Sequence, residues 1–185
     1  AKRLLAAVKD RLSACNLKLN EEKTKIVYCK DNRRRKDYEH INFDFLGYEF
    51  RPRKAVDRQK VVFLGFLPAI SRKSMKKLGE KMREWNLNRR IRTSLSLIAK
   101  RLNPVIRGWI TYYGKFYPSR LKSYLKCLNE KLARWATAKY KRFHGKMYRG
   151  LYWLGEISRR EPNLFYHWQY GVIPPLNPKR RNRKV

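Results

Sequence analysis

The chain has 185 residues, of which 43% are hydrophobic and 14% aromatic, and it carries 47 Lys and Arg against 14 Asp and Glu. This hydrophobic content can fill a core and excludes wholesale disorder, and the absence of a long apolar run argues against a membrane-spanning protein. A formal net charge of +33, spread through segments that also carry aromatic residues, points to RNA or DNA rather than a membrane surface.

Cys15, Cys29 and Cys127 are odd in number and far apart in the sequence. They predict neither a disulfide framework nor a zinc site, so we expect free thiols in a reducing compartment. The expected location is the cytoplasm of a bacterium, in preference to an organelle. The chain opens without Met, directly in a helical pattern, and we expect it to be a piece of a larger protein.

The first part of the chain predicts a helix followed by short strands. Residues 2–15 carry an amphipathic apolar stripe that is typical of a helix. Residues 17–19 and 25–28 resemble two strands separated by a turn. Residues 31–40 are polar, include four consecutive basic residues at 33–36, and predict an exposed loop.

Two further runs predict strands. Residues 43–50 are aromatic and begin in strand alternation, and Gly47 within them indicates a bend or a close backbone approach. Residues 61–67 predict another strand that ends before Pro68. Together, residues 1–70 are expected to form an incomplete unit of one helix and an antiparallel sheet.

After Pro68 the apolar spacing becomes helical and predicts a small bundle. Ser71, Ser94 and Ser119 are placed to cap three helices, the last of which should continue to about Phe143. Residues 71–145 carry 21 Lys and Arg against three Glu, so the cations should cover the outside. The predicted buried positions are Met75, Leu78, Met82 and Trp85, then Leu95, Ile98 and Leu102, then Leu121, Leu125, Leu128, Leu132 and Trp135.

Residues 103–121 carry the most specific pattern in the sequence. Ile106, Trp109 and Tyr113 recur three to four residues apart, so they should face the core from one side of a helix. Pro104 must either kink this helix or begin a new one.

The remaining positions of this stretch are polar, basic or glycine. Arg107, Tyr112 and Lys115 fall off the apolar face and should point outward. Gly108 costs about 1 kcal/mol of helix propensity relative to Ala, which suggests that something approaches the backbone there, and Gly114 should end the helix. A basic, aromatic helix with a glycine notch suits gripping a nucleic-acid backbone, although a packed helical hairpin with solvated lysines explains the spacing equally well.

The last part of the sequence predicts one more helix and a tail. Residues 147–160 can form a helix with Tyr148, Leu151, Tyr152 and Leu154 as its apolar positions. Residues 164–168 form a compact aromatic segment, and residues 179–184 form a basic tail that we expect to be disordered when unbound.

The sequence lacks the residue clusters that most catalytic sites require. Its carboxylates are scattered, so no group predicts a metal pair near a phosphate. His40, His144 and His167 have no partner spacing that indicates a metal or a catalytic triad, and a structural role is favoured for each.

Four motifs carry a resemblance to one family. Residues 103–113, N-P-V-I-R-G-W-I-T-Y-Y, resemble the core of the group II intron maturase-specific domain, the thumb of group II intron reverse transcriptases. Residues 19–24, L-N-E-E-K-T, are similar to the segment that follows the catalytic Tyr-Ala-Asp-Asp motif of these enzymes. Residues 43–48, F-D-F-L-G-Y, are similar to their last palm motif, and L-F-Y-H-W at 164–168 matches their closing segment.

The resemblance implies roles for particular residues. Phe45, Leu46, Gly47 and Tyr48 would form a primer grip, and Lys23 would lie near the phosphates of the incoming nucleotide, although a solvated turn lysine fits Lys23 equally well. The nucleic-acid contacts expected on the thumb are Lys73, Lys77, Arg89, Arg90, Arg107, Gly108, Tyr112, Lys115 and Arg120.

The resemblance also implies part of an RNA-directed DNA polymerase, a reverse transcriptase. The fingers and the catalytic aspartates of the family would precede residue 1, so we assign this chain no catalytic residue. No cofactor is expected in this chain, and Mg²⁺ is expected only for the complete family enzyme.

We therefore expect an α+β protein with the end of a palm at 1–70, a helical thumb at 71–145 and an extension at 146–185. It would hold template–primer, an RNA–DNA duplex and intron RNA against a catalytic palm supplied by another polypeptide. DNA synthesis and splicing are the expected uses. Two alternatives stay open: a stand-alone RNA-binding splicing cofactor, and a structural basic module such as a ribosome-associated protein.

Overall fold

The computed structural model describes residues 1–34 and 36–178, so Arg35 and the predicted basic tail at 179–184 lie outside the described residues. The chain divides into two compact units, Ala1–Pro68 and Ala69–Val185. Helices combine with one three-stranded antiparallel sheet, which confirms the predicted α+β class. The predicted three-part division of the chain stays a prediction.

The first unit begins with helix α1, Lys2–Ala14, which confirms the predicted helix. No residue of α1 is buried. On its apolar stripe, Leu4 is 70% exposed and Val8 is 42% exposed. The amphipathic pattern therefore forms the helix without covering its apolar side.

The sheet of the first unit has three strands in sequence order: β1 (Phe43–Phe45), β2 (Tyr48–Val56) and β3 (Val62–Ile70). β1 and β2 pair antiparallel, with Phe43 opposite Phe50. The rings of these two residues stack with centroids 4.8 Å apart. Cross-strand aromatic pairs of this kind stabilise a two-stranded ribbon.

A two-residue turn joins β1 to β2 and accounts for the bend predicted at Gly47. Leu46 has φ +47° and Gly47 has φ +79°. Two successive positive φ angles match the right-handed twist of a tight hairpin. Glycine adopts this conformation freely, whereas Leu46 adopts it at a steric cost.

Two strand predictions in this unit are wrong, and a third strand is present but ends later than predicted. Residues 17–19 and 25–28 form no strand. The first segment is only three residues long, and in the second the backbone N–H of Tyr28 donates to the carbonyl of His40 at 2.8 Å without a ladder developing. The strand expected to end before Pro68 continues through it, because β3 lies at the sheet edge, where a missing N–H needs no partner.

The second unit is helical, and its predicted helix starts are confirmed at two positions. The Ser71 hydroxyl accepts the backbone N–H of Ser74 at 3.1 Å, and the Ser94 hydroxyl accepts that of Leu97 at 3.2 Å. The helices are α2 (Arg72–Glu84), α3 (Leu95–Tyr113), α4 (Pro118–Lys139), α5 (Met147–Arg160) and α6 (Tyr166–Gln169), with 3₁₀ turns at Leu87–Arg89 and Lys141–Phe143.

The core of the second unit forms around α4. Its predicted apolar stripe is confirmed, since all five positions are fully buried: Leu121, Leu125, Leu128, Leu132 and Trp135. Two glycines allow close helix crossings. A Cβ on Gly79 of α2 would lie 2.5 Å from the Tyr124 hydroxyl, and one on Gly150 of α5 would lie 2.9 Å from the carbonyl oxygen of Ala133.

Several helix boundaries differ from the prediction. α4 begins at Pro118 rather than after a Ser119 cap, because proline suits the first helical position and Tyr117 precedes it with φ +47°. α4 ends at Lys139, since residues 141–143 tighten into a 3₁₀ turn. In α5, which has the predicted bounds, Tyr148 is 52% exposed and does not join the core.

Candidate nucleic-acid interface

The outer face of α3 and the turn that follows it carry four of the predicted nucleic-acid-binding residues. Arg107, Gly108 and Tyr112 are exposed on α3, where 108 and 112 lie one turn apart on the same face, and Lys115 is exposed just past the helix end at Tyr113. A Cβ built on Gly108 would meet no atom within 4 Å. The backbone of α3 is therefore open at a notch flanked by cations and an aromatic ring; we call these four residues the α3 stripe.

The opposite face of α3 anchors it in the core. Ile106 is fully buried, and Leu102 and Ile110 are nearly so. Trp109 is half-buried and stacks on Trp85 of α2, with ring centroids 5.4 Å apart and planes 18° apart. The prediction that Trp109 packs against the core is confirmed, so the helix presents the α3 stripe from a fixed position.

Asn103 and Pro104 position the start of the stripe. Pro104 lies inside one continuous helix, so it does not begin a new one. The side-chain amide of Asn103 donates to the carbonyl of Leu164 at 3.0 Å and accepts the backbone N–H of Tyr166 at 3.0 Å. This double hydrogen bond fixes Tyr166, whose ring centroid lies 5.9 Å from the guanidinium carbon of Arg107.

The sequence reasoning missed Asn103 and Tyr166 as positioning residues. A cation over an aromatic face is attracted by the ring quadrupole, so Tyr166 favours one orientation of Arg107 while leaving it exposed. The available signal was the Asn-Pro pair inside a helical pattern, because an Asn at such a place often uses its amide for backbone groups. The partner, 63 residues away, gave no local signal.

Aromatic rings and cations also meet at the turn between α3 and α4. The Tyr170 hydroxyl donates to the carbonyl of Gly114 at 3.3 Å. Lys115 Nζ lies 5.8 Å from the ring centroid of Phe116, which is 42% exposed, and Lys122 Nζ lies 4.8 Å from that of Tyr170. The basic and aromatic surface therefore continues past the end of the α3 stripe.

The other predicted contacts on the second unit lie on separate elements. Lys73 and Lys77 are exposed on α2, Arg89 is exposed in the first 3₁₀ turn, and Arg120 is half-buried in the first turn of α4. The structure does not bring these four into the α3 stripe, and their role stays a prediction.

Arg90 has a structural task in addition to its predicted one. Its Nε donates to the carbonyl of Trp85 at 2.9 Å, which satisfies a backbone acceptor at the end of α2. Its own carbonyl accepts the indole N–H of Trp135 at 3.0 Å. Replacing Arg90 would therefore perturb packing as well as charge.

The predicted primer-grip residues lie together in the first unit. Phe45 and Leu46 form the tip of the hairpin and are 59% and 67% exposed. Gly47 completes the turn, and Tyr48 is buried at its base. Lys23 lies in a different turn, exposed, with its backbone N–H donated to the side-chain oxygen of Asn20 at 3.0 Å.

A buried polar network links α4 to the end of the helical unit. The Asn129 side-chain oxygen accepts the Nε2–H of His167 at 2.8 Å and the indole N–H of Trp168 at 2.9 Å, while its amide donates to the carbonyl of Val172 at 3.0 Å. Burial lowers the pKa of His167 to about 3, because the imidazolium would lose its hydration. His167 is therefore a neutral structural histidine.

The described residues offer little for metal or membrane chemistry. Within 1–34 and 36–178, no three side chains of His, Cys, Asp or Glu come close enough to hold a metal ion. In the same part of the chain, no helix has the length and apolar character that crossing a membrane requires.

Comparison with known protein families gives one match. Residues 75–153, which run from α2 into α5 and include the whole α3 stripe, match the group II intron, maturase-specific domain. The match supports a role related to group II intron maturases, and such a domain implies an interaction with intron RNA. No curated protein and no solved structure matches the chain significantly.

Proposed function

We propose, from the premise that residues 75–153 are a group II intron maturase-specific domain, that this chain binds intron RNA and RNA–DNA duplexes through the α3 stripe. In this function the second unit is the thumb of a reverse transcriptase/maturase. It holds the nucleic acid against a catalytic palm, and the lysines and arginines around the stripe supply affinity without reading sequence.

The observation that carries this proposal is the open backbone at Gly108. Because no side chain covers this position, a sugar–phosphate chain can reach the helix itself. Arg107 and Tyr112 lie about 7.5 Å apart along the helix axis at 1.5 Å per residue, and Lys115 lies beyond the end of α3 at Tyr113. This separation exceeds the rise of about 3.4 Å per nucleotide of one strand, so Arg107 and Lys115 can engage different phosphates while Tyr112 stacks between them.

Uncovered apolar surface supports the second part of the proposal, a polypeptide partner. Leu4 and Val8 on α1, and Phe45 and Leu46 at the hairpin tip, are exposed. Leu4 and Val8 lie one helical turn apart and Phe45 and Leu46 are adjacent, so each pair presents a small apolar surface that a partner polypeptide can cover. The partner proposed is the fingers and catalytic palm of a reverse transcriptase, with the hairpin tip supporting the primer end.

The α3 stripe is tested by replacing single residues in the full chain. Arg107→Gln should weaken binding to a labelled group II intron transcript and to an RNA–DNA duplex, and should lower the salt slope of log affinity by about one. Arg58→Gln is the matched control, since Arg58 is exposed and lies in the first unit. Equal slopes for Arg107→Gln and Arg58→Gln would contradict the assignment of the stripe.

The choice between uses of the bound RNA is tested by two comparisons. Stronger retention of the intron transcript than of a size-matched bulk RNA supports a maturase role over a structural basic module. Primed DNA synthesis with Mg²⁺ that appears only when a fingers–palm polypeptide is added supports the polymerase assembly. Intron binding without such synthesis supports the stand-alone splicing cofactor.

A further inference from the structure

A second basic site lies in the helical unit and is lined by none of the nucleic-acid-binding residues predicted from the sequence. The 3₁₀ turn at Lys141–Phe143, helix α5 and the segment near Asn177 enclose a cleft of about 640 Å³. Its charged and aromatic walls include Arg142, Arg149, Arg159, Arg160, Tyr152 and Trp153. We call it the arginine cleft.

The charge of the arginine cleft is largely uncompensated. Glu156 is the carboxylate in its wall, and it pairs with Arg159 at 2.9 Å. Arg142, Arg149 and Arg160 form no ion pair within the described residues. Three unpaired guanidinium groups repel one another unless an anion lies between them. Their planar forks suit the oxygens of a phosphate better than a lysine would.

Trp153, on the aromatic side of the cleft, is held by contacts with neighbouring rings. The Trp153 ring lies 5.2 Å from that of Tyr140 and 5.7 Å from that of Phe143, measured between centroids. The guanidinium carbon of Arg142 lies 4.7 Å from the Phe143 centroid. Aromatic rings beside arginines form the surface on which unpaired bases stack in proteins that bind single strands.

The volume of the cleft fits one small ligand better than a duplex. Concave sites of about 300–1,000 Å³ hold one small ligand, whereas the α3 stripe lies on the exposed outer face of a helix, which can follow a backbone. A phosphate-binding wall beside a stacking wall, in a cavity of this volume, fits one nucleotide.

We propose that the arginine cleft binds a single unpaired nucleotide of an RNA, with its phosphate between the arginines and its base against Tyr152 and Trp153. This inference rests on the proposed function only in taking RNA as the ligand. It adds a second site whose ligand is a flipped-out or bulged base. The thumb would then recognise an RNA by its backbone on α3 and by an unpaired base on α5.

The test compares two RNA hairpins of equal length and phosphate number, one fully paired and one with a single bulged nucleotide. Their affinities for the full chain are measured by fluorescence anisotropy at fixed salt. Arg142→Gln combined with Arg149→Gln removes two charges from the cleft, and Tyr152→Ala removes a stacking ring. The charge-matched control is Arg3→Gln combined with Arg58→Gln, two exposed positions in the first unit.

We expect the parent chain to prefer the bulged hairpin about tenfold, because stacking one base on an aromatic residue is worth about 1–3 kcal/mol. Tyr152→Ala should abolish that preference, and the double arginine variant should reduce it at least fivefold while the control keeps it. If Tyr152→Ala unfolds the chain, the arginine variant decides, since both its side chains are exposed.

The contrary outcomes separate the two proposals. Equal binding of the two hairpins by the parent chain, or equal losses for the cleft and control variants, would overturn the nucleotide site. The α3 stripe would still stand if Arg107→Gln weakens the paired hairpin. Tighter competition by a pentaglutamate peptide than by a five-nucleotide RNA at the cleft would assign it to an acidic protein and would also overturn the proposal.

Discussion

At the scale of single residues, a substitution in the stacked pair Trp85 and Trp109 can distinguish a loss of stability from a loss of RNA binding. Trp109→Ala removes the contact 5.4 Å from Trp85 and leaves a gap between α2 and α3. Burying and packing an aromatic ring contributes about 3–5 kcal/mol, and because Trp109 is half-buried we expect a loss of about 3 kcal/mol. Thermal melts followed by circular dichroism should show the lower Tm with and without RNA. A variant that melts like the parent but loses RNA affinity would assign Trp109 to the interface.

His167 should make the helical unit sensitive to acid. Its folded pKa of about 3 lies below the ordinary value of 6.5, so between these values the unfolded state binds the extra proton and stability falls as the pH falls. From pH 7 to pH 5 the loss should be about 2 kcal/mol at 1.36 kcal/mol per pKa unit. Urea unfolding at the two pH values measures it.

A second histidine provides the control for this titration. His144 is exposed, so His144→Gln should keep the full pH dependence of the parent. If His144→Gln removed the dependence, the buried network around Asn129 would not be its source.

The buried network around Asn129 also shows which contacts can be predicted from the sequence and which cannot. The apolar stripe of α4 was readable because leucines repeat at helical spacing. Asn129 interrupts that stripe, and its three partners, His167, Trp168 and Val172, lie about 40 residues away. Only tertiary packing brings these residues together. No local sequence pattern therefore predicts where a buried polar side chain will find its hydrogen-bond partners.

At the scale of elements, the glycine inside α3 and the glycine that follows its last residue should respond to substitution in opposite ways. Gly108→Leu meets open space and gains helix propensity of up to about 1 kcal/mol, so the fold should be unchanged or more stable while RNA binding weakens. Gly114→Ala places a Cβ 2.4 Å from the carbonyl oxygen of Ile110 and 2.7 Å from the Tyr170 hydroxyl, so it should destabilise the α3–α4 turn.

Melting curves and filter binding on both variants check this contrast. Gly114→Ala controls for damage to the helix end, since its loss of binding should follow its loss of stability. Parent-like RNA binding by Gly108→Leu would mean that no ligand approaches the notch, and α3 would then be scaffold alone.

The ends of helices were predictable where a side chain caps the helix locally. They were not predictable where an unusual backbone conformation sets the boundary. Ser71 and Ser94 cap their helices with their own hydroxyls, three residues from the N–H they accept. Tyr117, in contrast, precedes α4 with a positive φ, and a tyrosine at this position does not predict that backbone conformation. The arginine cleft could not be predicted from the sequence for a related reason. Arg142 and Arg160 line the same cleft only because α5 packs beside the 3₁₀ turn.

At the scale of the whole molecule, the net charge of +33 should make RNA binding strongly dependent on salt. If about 6–10 phosphates are neutralised, affinity should fall by roughly 10³–10⁵ between 50 and 200 mM salt. A titration of the intron transcript at several salt concentrations gives the slope of log affinity against log salt. A flat line would mean that the cations face away from the ligand.

Apolar spacing along the chain predicted the α+β class, which the structure confirms, and the summed charge predicted a nucleic-acid partner. Neither quantity predicted which surfaces bind. The α3 stripe became a candidate because a motif singled it out, and the second site needed the folded positions of α5 and the turn before it.

The reach of the core beyond the matched segment has an evolutionary consequence. The family signature ends at residue 153, yet Phe165, Trp168 and Val172 are buried in the same core. A gene fragment that kept only the signature would encode Asn129 with a buried amide left unsatisfied, which costs about 1–3 kcal/mol, beside an exposed apolar groove. Selection for a stable fold should therefore keep the aromatic C-terminal segment together with the matched domain.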